Sequence, residues 1–455
     1  MTTVADISTP AADAAEPEST AEASQLIPLR PEDLIIGREL QFPVFDNENR
    51  LLLSEGCVIT DRFKQLLRER KIKDILVHEA DAAAVTLTGS ISDVAGLDDT
   101  FTQQLAERLD RLIDGDSLFV GNTGPSVKNQ LVYHGCKGYN KAQRQELLAQ
   151  NKVSGASLDD MMHTALHGGS VDGSDISQMA ASYLTHMKSD VDSVMAIAAQ
   201  AGQDADLAKH ALNMSLLSMA IGIEVGLDET NVRTLGLCGL VSDWGMVKIP
   251  AELRQAERRL TPAEMQQIKK HPIIVLELLQ HVSDIPKMVP IVCYQVHERP
   301  DGSGYPRGKT HHGIHPFARI LHVADAYMAL TSPRPFRPPL TPYAAMECLL
   351  KMSQSKIVDP QVVRSLLHVL ALFPIGSFVA LSDGSAARVL RSNRSQYTKP
   401  FVQKLQDAAG KPISSADDRG VIDLTESGLT IVQAIPSPGR DEILMSEDVL
   451  SHSRR

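Results

Sequence analysis

Aromatic side chains are scarce in this sequence: they make up 4% of its 455 residues, and Trp244 is the single tryptophan. This scarcity argues against an aromatic-rich β-sandwich and favours helices built on alanine, leucine and methionine. The length of 455 residues is too great for one ordinary domain, and length alone predicts about three domains. A hydrophobic content of 43% is sufficient for sizeable cores.

An excess of positive charge is also absent. The formal net charge is −11 and the isoelectric point is near 5.8. Proteins that bind nucleic acid through bulk charge concentrate lysine and arginine, so nucleic acid is not an expected partner. A local basic pocket for a small anion is compatible with this composition.

Paired cysteines and long apolar runs are missing as well. The scattered, odd number of cysteines excludes a zinc knuckle or redox pair and fits reduced thiols of a cytoplasmic protein. The longest apolar candidate, 211–227, is interrupted by Asn213 and Glu224 and is shorter than the ~20 residues of a membrane span. No Lys or Arg precedes Arg30, which argues against a signal peptide. We therefore expect a cytoplasmic location and no membrane span. The cysteines are Cys57, Cys136, Cys238, Cys293 and Cys348.

The first part of the chain divides into a leader and a small module. Residues 1–27 contain almost no large apolar side chains, which predicts a disordered leader. Residues 28–85 alternate apolar and polar positions around turn residues, which predicts a small α/β module. Its predicted elements are strands at 40–45, 51–53 and 75–77 and a helix that begins after Thr60.

The remaining chain predicts a mainly α protein with a β module near its end. Residues 86–199 are expected to be a helical or linker region with breaks at Gly155 and 168–174, and we assign them no chemistry. Residues 200–370 show helical periodicity and well-formed helix starts, such as the capping box Thr261-Pro262-Ala263-Glu264. Strand signals then predict a small β-barrel-like module over 371–437, and 438–455 is expected to be a loose tail.

One segment carries more information than any other: residues 296–306 read Val-His-Glu-Arg-Pro-Asp-Gly-Ser-Gly-Tyr-Pro. Gly302 and Gly304 allow backbone conformations that other residues avoid, and Pro306 fixes the exit of the loop. A tight loop beside His297 suits a ligand or metal site. The segment resembles the signature of the HD-GYP family, metal-dependent phosphodiesterases that hydrolyse cyclic di-guanosine monophosphate (cyclic di-GMP).

The resemblance implies an all-helical HD-type domain, flanked by the α/β and β modules, in which ligands from separate helices converge on two or three metals. Imidazole and carboxylate groups suit iron, manganese or zinc, and such ions activate water and hold the phosphate. Taken singly, each histidine is more often a surface or satisfied core residue. Matching the family motifs in order implies one ligand set, with Asp243 also catalytic: Asp206, His210, Asp243, His271, His297 and Asp325.

Three positions depart from the family pattern. Ser242 and Val296 stand where the family has histidines, and Met246 stands where it has a lysine close to the phosphate. Lys248 lies two residues further along and is expected to point elsewhere. Because the three losses occur together, they should remove at least one metal position and a cationic phosphate contact. The expected cofactor is therefore a divalent metal, iron or manganese, in fewer ions than in intact members or in none.

The resemblance also implies substrate contacts around the loop and in a later basic segment. Guanidinium groups match phosphate in a bidentate way, although a solvated basic loop is an equally good interpretation of the later segment. His311, His312 and His315 are candidates to replace lost ligands, against the simpler interpretation of exposed loop residues. The implied substrate-binding residues are Arg299, Asp301, Gly302, Gly304, Tyr305, Pro306, Arg334 and Arg337.

Three functions follow from these residues. The resemblance, with its three departures, favours a cyclic di-GMP signalling protein with reduced or lost phosphodiesterase activity, acting by binding the nucleotide or a protein partner. An active phosphodiesterase with a reduced metal site and a scaffold without nucleotide are the alternatives. Homodimerisation is left open.

Overall fold

The computed structural model describes residues 26–31, 34, 40–57, 59–78, 81–82, 120–198, 206–333, 337–394, 396–413 and 421–444. The predicted leader, apart from residues 26–27, and most of the predicted tail lie outside these ranges. Helices dominate the described residues, with a small sheet near each end, so the protein is mainly α as predicted.

The N-terminal module is a four-stranded antiparallel sheet with one helix packed on it. Thr60 accepts the amide of Phe63 at the helix start, which confirms the predicted cap. Leu67 and Ile75 belong to the small apolar core between helix and sheet. Along the sheet the strand order is β1-β4-β2-β3. The elements are β1 Leu26–Leu29, β2 Val44–Asp46, β3 Leu51–Leu53, α1 Asp61–Glu69 and β4 Ile75–His78.

The helical region forms the largest apolar core, which continues from Val127 to Ile375. Most of its helices begin after a side chain that accepts a hydrogen bond from a free backbone amide of the first turn. One of these caps is the predicted capping box between Thr261 and Glu264. The helices are α2 Lys141–Leu166, α3 Gly173–Ala198, α4 Leu207–Val225, α5 Glu229–Val241, α6 Ala251–Arg254, α7 Pro262–Lys269, α8 His271–Leu278, α9 Met288–Gln295, α10 Pro316–Thr331, α11 Pro342–Gln354 and α12 Pro360–Leu370. A parallel pair of short strands, β5 Val171–Asp172 and β6 Val282–Ser283, joins the start of α3 to the end of α8.

Two glycine breaks predicted in the 86–199 region are wrong. Helix α2 continues through Gly155, because Leu147, Leu158 and Met162 bury its inner face, which outweighs the ~1 kcal/mol that an interior glycine costs relative to alanine. Gly173 is the first residue of α3 and not part of a linker. A Cβ there would lie 2.2 Å from the carbonyl oxygen of Ser283, so the close approach of β6 requires glycine.

The C-terminal module is a five-stranded antiparallel sheet in the order β10-β9-β8-β7-β11. Among the described strands, β10 and β11 are the two edges and do not pair with each other, so the sheet is open where a barrel-like module was expected. Val379, Val389 and Val402 form its core. The strands are β7 Phe378–Leu381, β8 Ala386–Arg391, β9 Phe401–Gln406, β10 Val421–Asp423 and β11 Ile431–Ile435. In the described part of the chain, no helix combines the length and apolar character needed to cross a bilayer.

Candidate metal centre

Five of the six predicted ligands come together although they lie on separate elements. His210 is in the first turn of α4, and Asp325 is in the second half of α10. Asp243 follows α5, directly before a 3₁₀ turn at Trp244–Lys248. His271 is the first residue of α8, and His297 follows α9. The helical bundle therefore places these side chains around one point, as the ordered motifs predicted.

The first ligand group contains His210, Asp243 and Asp325. The Nε2 atom of His210 lies 3.1 Å from Oδ2 of Asp243 and 3.6 Å from Oδ1 of Asp325. One ligand atom from each residue lies within 4.8 Å of the others. One imidazole and two carboxylates form a donor set that suits a hard or borderline divalent ion.

The second group contains Asp243, His271 and His297, and their ligand atoms also lie within 4.8 Å of one another. The Nε2 atoms of His271 and His297 face each other at 2.8 Å. Nδ1 of His271 lies 2.8 Å from the carbonyl oxygen of Ile268. That carbonyl can only accept, so His271 carries its proton on Nδ1 and presents the Nε2 lone pair to the centre. This orientation fits a metal ligand.

Without an ion, the charges of the centre compensate one another. Burial opposes a charge on His210, but hydrogen bonds and charges from Asp243 and Asp325 outweigh it and raise its pKa to about 10. Burial likewise opposes ionisation of Asp243, yet His210 lowers the pKa of this carboxyl. Burial and the neighbouring His271 lower the pKa of His297 to about 3. The centre therefore combines two carboxylates with neutral His271 and His297 and a protonated His210. A bound cation would displace the proton from His210.

The Gly-Tyr-Pro loop folds back on the second group. The amide of Tyr305 donates to the carbonyl oxygen of His297 at 3.1 Å, and the two rings stack with centroids 4.8 Å apart. At Gly304, a Cβ would lie 2.3 Å from the amide nitrogen of Arg299, so only glycine permits this fold. The loop thus fixes the orientation of a predicted ligand.

A buried carboxylate closes the base of this loop. Glu298 is 1% exposed and accepts the amides of Arg307 at 2.6 Å and Lys309 at 2.8 Å. Burial raises its pKa to about 7 against the effect of these hydrogen bonds. Glu298 therefore ties the end of the loop to its beginning, a role that the sequence analysis did not assign.

The N-terminal module reaches the same loop. In α1, Arg68 donates from Nη2 to the carbonyl oxygen of Gly302 at 2.8 Å. Gly302 has φ +81°, and a Cβ at this position would lie 2.3 Å from Nη1 of Arg68. The module and the loop are thus in direct contact at a position whose positive φ favours glycine.

Comparisons with known proteins agree with this geometry. A family model described as "HD domain" matches residues 176–362 and so begins before the predicted boundary at 200. The cyclic di-GMP phosphodiesterase PA4108 of Pseudomonas aeruginosa is 30% identical over 223 residues, which are 49% of this chain and 52% of that protein. Residues 176–362 of this chain thus match an HD domain, and one relative that matches about half of the chain is named as a cyclic di-GMP phosphodiesterase.

Two further relatives match shorter parts of this chain. The cyclic di-GMP phosphodiesterase response regulator RpfG of Xanthomonas campestris is 34% identical over 34% of this chain and 41% of its own length. The 3′3′-cGAMP-specific phosphodiesterase 1 of Vibrio cholerae is 34% identical over 28% of this chain and 30% of its own length. The chain therefore spans about half or less of the length of these relatives.

The sixth predicted ligand, Asp206, is not in either group of the HD domain. It is exposed and precedes α4, where Oδ1 accepts the amides of Ala208 at 2.9 Å and Lys209 at 3.4 Å. The expectation that Asp206 and His210 share a helix face is wrong, because Asp206 is the N-cap and not a helical residue. Its carboxylate satisfies free helix amides.

We therefore expect Asp206→Ala to leave the metal content unchanged and to lower the free energy of unfolding by ~1 kcal/mol. Asp206→Asn keeps a capping oxygen and should retain both metal and stability. Elemental analysis and urea unfolding of the two variants would check this. A loss of metal in Asp206→Asn would instead identify a ligand carboxylate.

Two of the three replaced positions, Ser242 and Met246, contact groups outside the two ligand groups. Ser242 is buried, and its Oγ lies 3.7 Å from Sδ of Met214. Met246 packs in a small apolar cluster with Ile249 and Ile274. Lys248 forms an ion pair with Glu277 at 2.9 Å, which agrees with the expectation that it points elsewhere.

The predicted substrate contacts have different surroundings. Arg299 lies near Ser303 of the loop, with 3.4 Å between Nη1 and Oγ. Exposed Asp301 accepts the amide of Ser303 at 2.9 Å and so supports the turn, and Pro306 is buried. Arg337 donates to the carbonyl oxygen of Ala329 at 3.0 Å, near the end of α10. Arg334 lies outside the described residues.

The three histidines considered as replacements do not join the ligand groups. His311 lies 3.2 Å from Oδ2 of Asp359 and 2.7 Å from Nη1 of Arg319. His315 is the N-cap of α10, and its Nδ1 accepts an amide of the first turn. His312 is exposed. None of these three histidines therefore belongs to either ligand group.

A different histidine was missed. His322 is buried in α10, three residues before Asp325, and its Nδ1 lies 3.1 Å from the carbonyl oxygen of Val296. Burial and the nearby Arg299 lower its pKa to about 4. A spacing of three residues on a helix places His322 and Asp325 on adjacent positions of one face, which is the signal that was available in the sequence.

Proposed function

We propose that this protein is a cyclic di-GMP signalling protein whose HD domain keeps a metal-dependent phosphodiesterase centre of reduced activity. The observation that carries the proposal is Asp243, which belongs to both ligand groups. A carboxylate shared by two ions is a common arrangement in hydrolases that act on phosphate esters. The relatives from Pseudomonas aeruginosa and Vibrio cholerae are named as phosphodiesterases of cyclic dinucleotides, which supports the same substrate class.

The chemistry divides between the metal and the chain. Bound iron or manganese would activate water and stabilise the negative charge that develops on the phosphate. His210, Asp243, His271, His297 and Asp325 would hold the ions. The Gly-Tyr-Pro loop would form one wall of the pocket, because Tyr305 stacks on His297.

We expect reduced activity because three positions depart from the family pattern. Ser242 and Val296 supply no imidazole, and Met246 brings no cation to the phosphate. Changes in the surroundings of metal ligands alone reduce affinity or activity ~10–100-fold, and loss of ligands should cost more. We therefore expect turnover that is at least ~10–100-fold slower than that of an intact relative.

The test compares hydrolysis of cyclic di-GMP and 3′3′-cGAMP by the full chain after loading with manganese or iron under anaerobic conditions. The PA4108 protein of Pseudomonas aeruginosa serves as the positive control. We expect slow, chelator-sensitive release of a linear dinucleotide. Turnover as fast as that of the control would contradict the reduced-activity part of the proposal.

Binding without hydrolysis is the second candidate, favoured by the absence of a cation at position 246. Calorimetry with cyclic di-GMP distinguishes it, because this function predicts heat of binding with no product at any metal loading. The heat should decrease with salt and in an Arg334→Ala/Arg337→Ala double variant. If the chain neither binds nor hydrolyses cyclic di-GMP, the scaffold alternative remains.

A further inference from the structure

We propose that His322 supplies a metal-coordinating nitrogen on the side of the centre where Val296 offers none. The inference rests on the proposed metal centre and extends its ligand set. It assigns a role to a residue outside the motifs that resemble the family. The chain would thus replace a lost ligand from α10 and not from the histidines that follow the Gly-Tyr-Pro loop.

The hydrogen bond to Val296 fixes the orientation of the His322 ring. Its Nδ1 lies 3.1 Å from the carbonyl oxygen of Val296. A carbonyl oxygen accepts and cannot donate, so the proton is on Nδ1. The contact also places the imidazole directly beside the residue that replaces a family histidine.

The other ring nitrogen has no hydrogen-bond partner among the residues that the structure describes. Nε2 of His322 is buried, in a residue that is 6% exposed. A proton on Nε2 would create a buried, unpaired charge, so Nε2 carries a lone pair. Leaving such an acceptor unsatisfied costs ~1–3 kcal/mol, and a bound cation would remove this cost.

His271 shows the same arrangement in the centre itself. Its Nδ1 also bonds to a backbone carbonyl, and its Nε2 faces the ligand group. A backbone carbonyl on one ring nitrogen is the usual support for a histidine that binds metal through the other. His322 therefore has the backbone hydrogen bond and the protonation state that suit a ligand.

Its position is consistent with a site beside the two groups. His322 precedes Asp325 by three residues on α10, and it lies close enough to Asp325 and His297 to influence the pKa of each. It is not a member of either compact group. The nitrogen would therefore serve an adjacent ion position, with water or substrate oxygen as additional ligands.

The test measures metal content of the full chain with manganese, using elemental analysis after removal of free metal. We expect His322→Ala and His322→Gln to bind less manganese than the unchanged protein, by about one ion per chain. His312→Ala removes an exposed histidine and is the matched control. Circular dichroism checks that each variant is folded, and the Gln variant keeps a side chain of similar size.

The outcomes separate this proposal from the proposed function. If Asp243→Ala loses manganese while both folded His322 variants keep the full amount, the His322 proposal is wrong and the metal centre stands. If the unchanged protein binds no manganese or iron, both proposals fail. A lower ratio in both His322 variants, with the His312→Ala control unchanged, supports a ligand role.

Discussion

Replacing Asp243 by alanine is expected to remove the metal from both ligand groups at once. Asp243 is 8% exposed, and its two carboxylate oxygens face different histidines: Oδ2 lies 3.1 Å from His210, and Oδ1 lies 3.6 Å from His271. No other residue of the described chain belongs to both groups. Loss of this shared ligand should therefore affect both ions, whereas His210→Ala should affect mainly one.

The measurement is the metal-to-protein ratio of the manganese-loaded chain, together with hydrolysis of cyclic di-GMP. We expect near-zero metal and a rate lower by more than ~100-fold in Asp243→Ala, because a ligand and not only its surroundings is removed. Asp160→Ala, an exposed aspartate of α2, is the matched control. If Asp243→Ala kept its full metal content, the shared position of this carboxylate would have no role in metal binding.

The pKa of His210 gives a second measure of the same arrangement. In the metal-free protein, burial lowers this pKa, but Asp243 and Asp325 raise it to about 10. Removing Asp243 takes away the hydrogen bond at 3.1 Å. The pKa of His210 should therefore fall in metal-free Asp243→Ala, which NMR titration of the imidazole would measure.

The sequence predicted the placement of the candidate ligands best where a motif and a helix start coincide. His271 follows a capping-box helix and precedes a proline, and it is the first residue of α8. His297 and Tyr305 lie beside each other because glycine at 304 permits the close return of the chain. In both cases the local sequence fixes the backbone, and the backbone fixes the side chain.

The errors arose where tertiary contacts decide the outcome. Asp206 and His210 have helical spacing, but spacing alone does not show that α4 begins between them. At Gly155 the glycine signal for a loop is overruled by burial of one face of α2. The role of His322 depends on its contact with the carbonyl group of Val296, 26 residues away along the chain. None of these contacts can be obtained from periodicity.

Replacing Arg391 by alanine is expected to destabilise the protein strongly, although Arg391 is remote in sequence from the predicted site. This residue of β8 is 1% exposed and binds both carboxylate oxygens of Asp190, at 2.7 and 2.8 Å. It also donates to the carbonyl oxygen of Lys137 at 2.8 Å, and its guanidinium lies 4.7 Å from the ring centre of Tyr139. Arg391 thus joins the C-terminal sheet to the helical region.

The expected loss in the free energy of unfolding follows from the carboxylates that would stay buried without Arg391. Asp190 and Asp192 are both buried, and Arg391 is an ion-pair partner of each. Removing one member of a buried ion pair typically costs ~3–5 kcal/mol, because the other charge stays buried without compensation. Asp190 also interrupts α3 with φ −160°, so loss of its partner should loosen the helix at that point.

Urea unfolding of Arg391→Ala would measure this effect, with Arg364→Ala, an exposed arginine of α12, as the matched control. We expect a loss of ~3–5 kcal/mol for the first variant and less than ~0.5 kcal/mol for the second. Arg391→Met removes the charge but keeps much of the volume, so it should be nearly as destabilising if the buried carboxylates are responsible. A small effect in Arg391→Met with a large one in Arg391→Ala would show instead that packing against Tyr139, and not charge pairing, holds the sheet on α3.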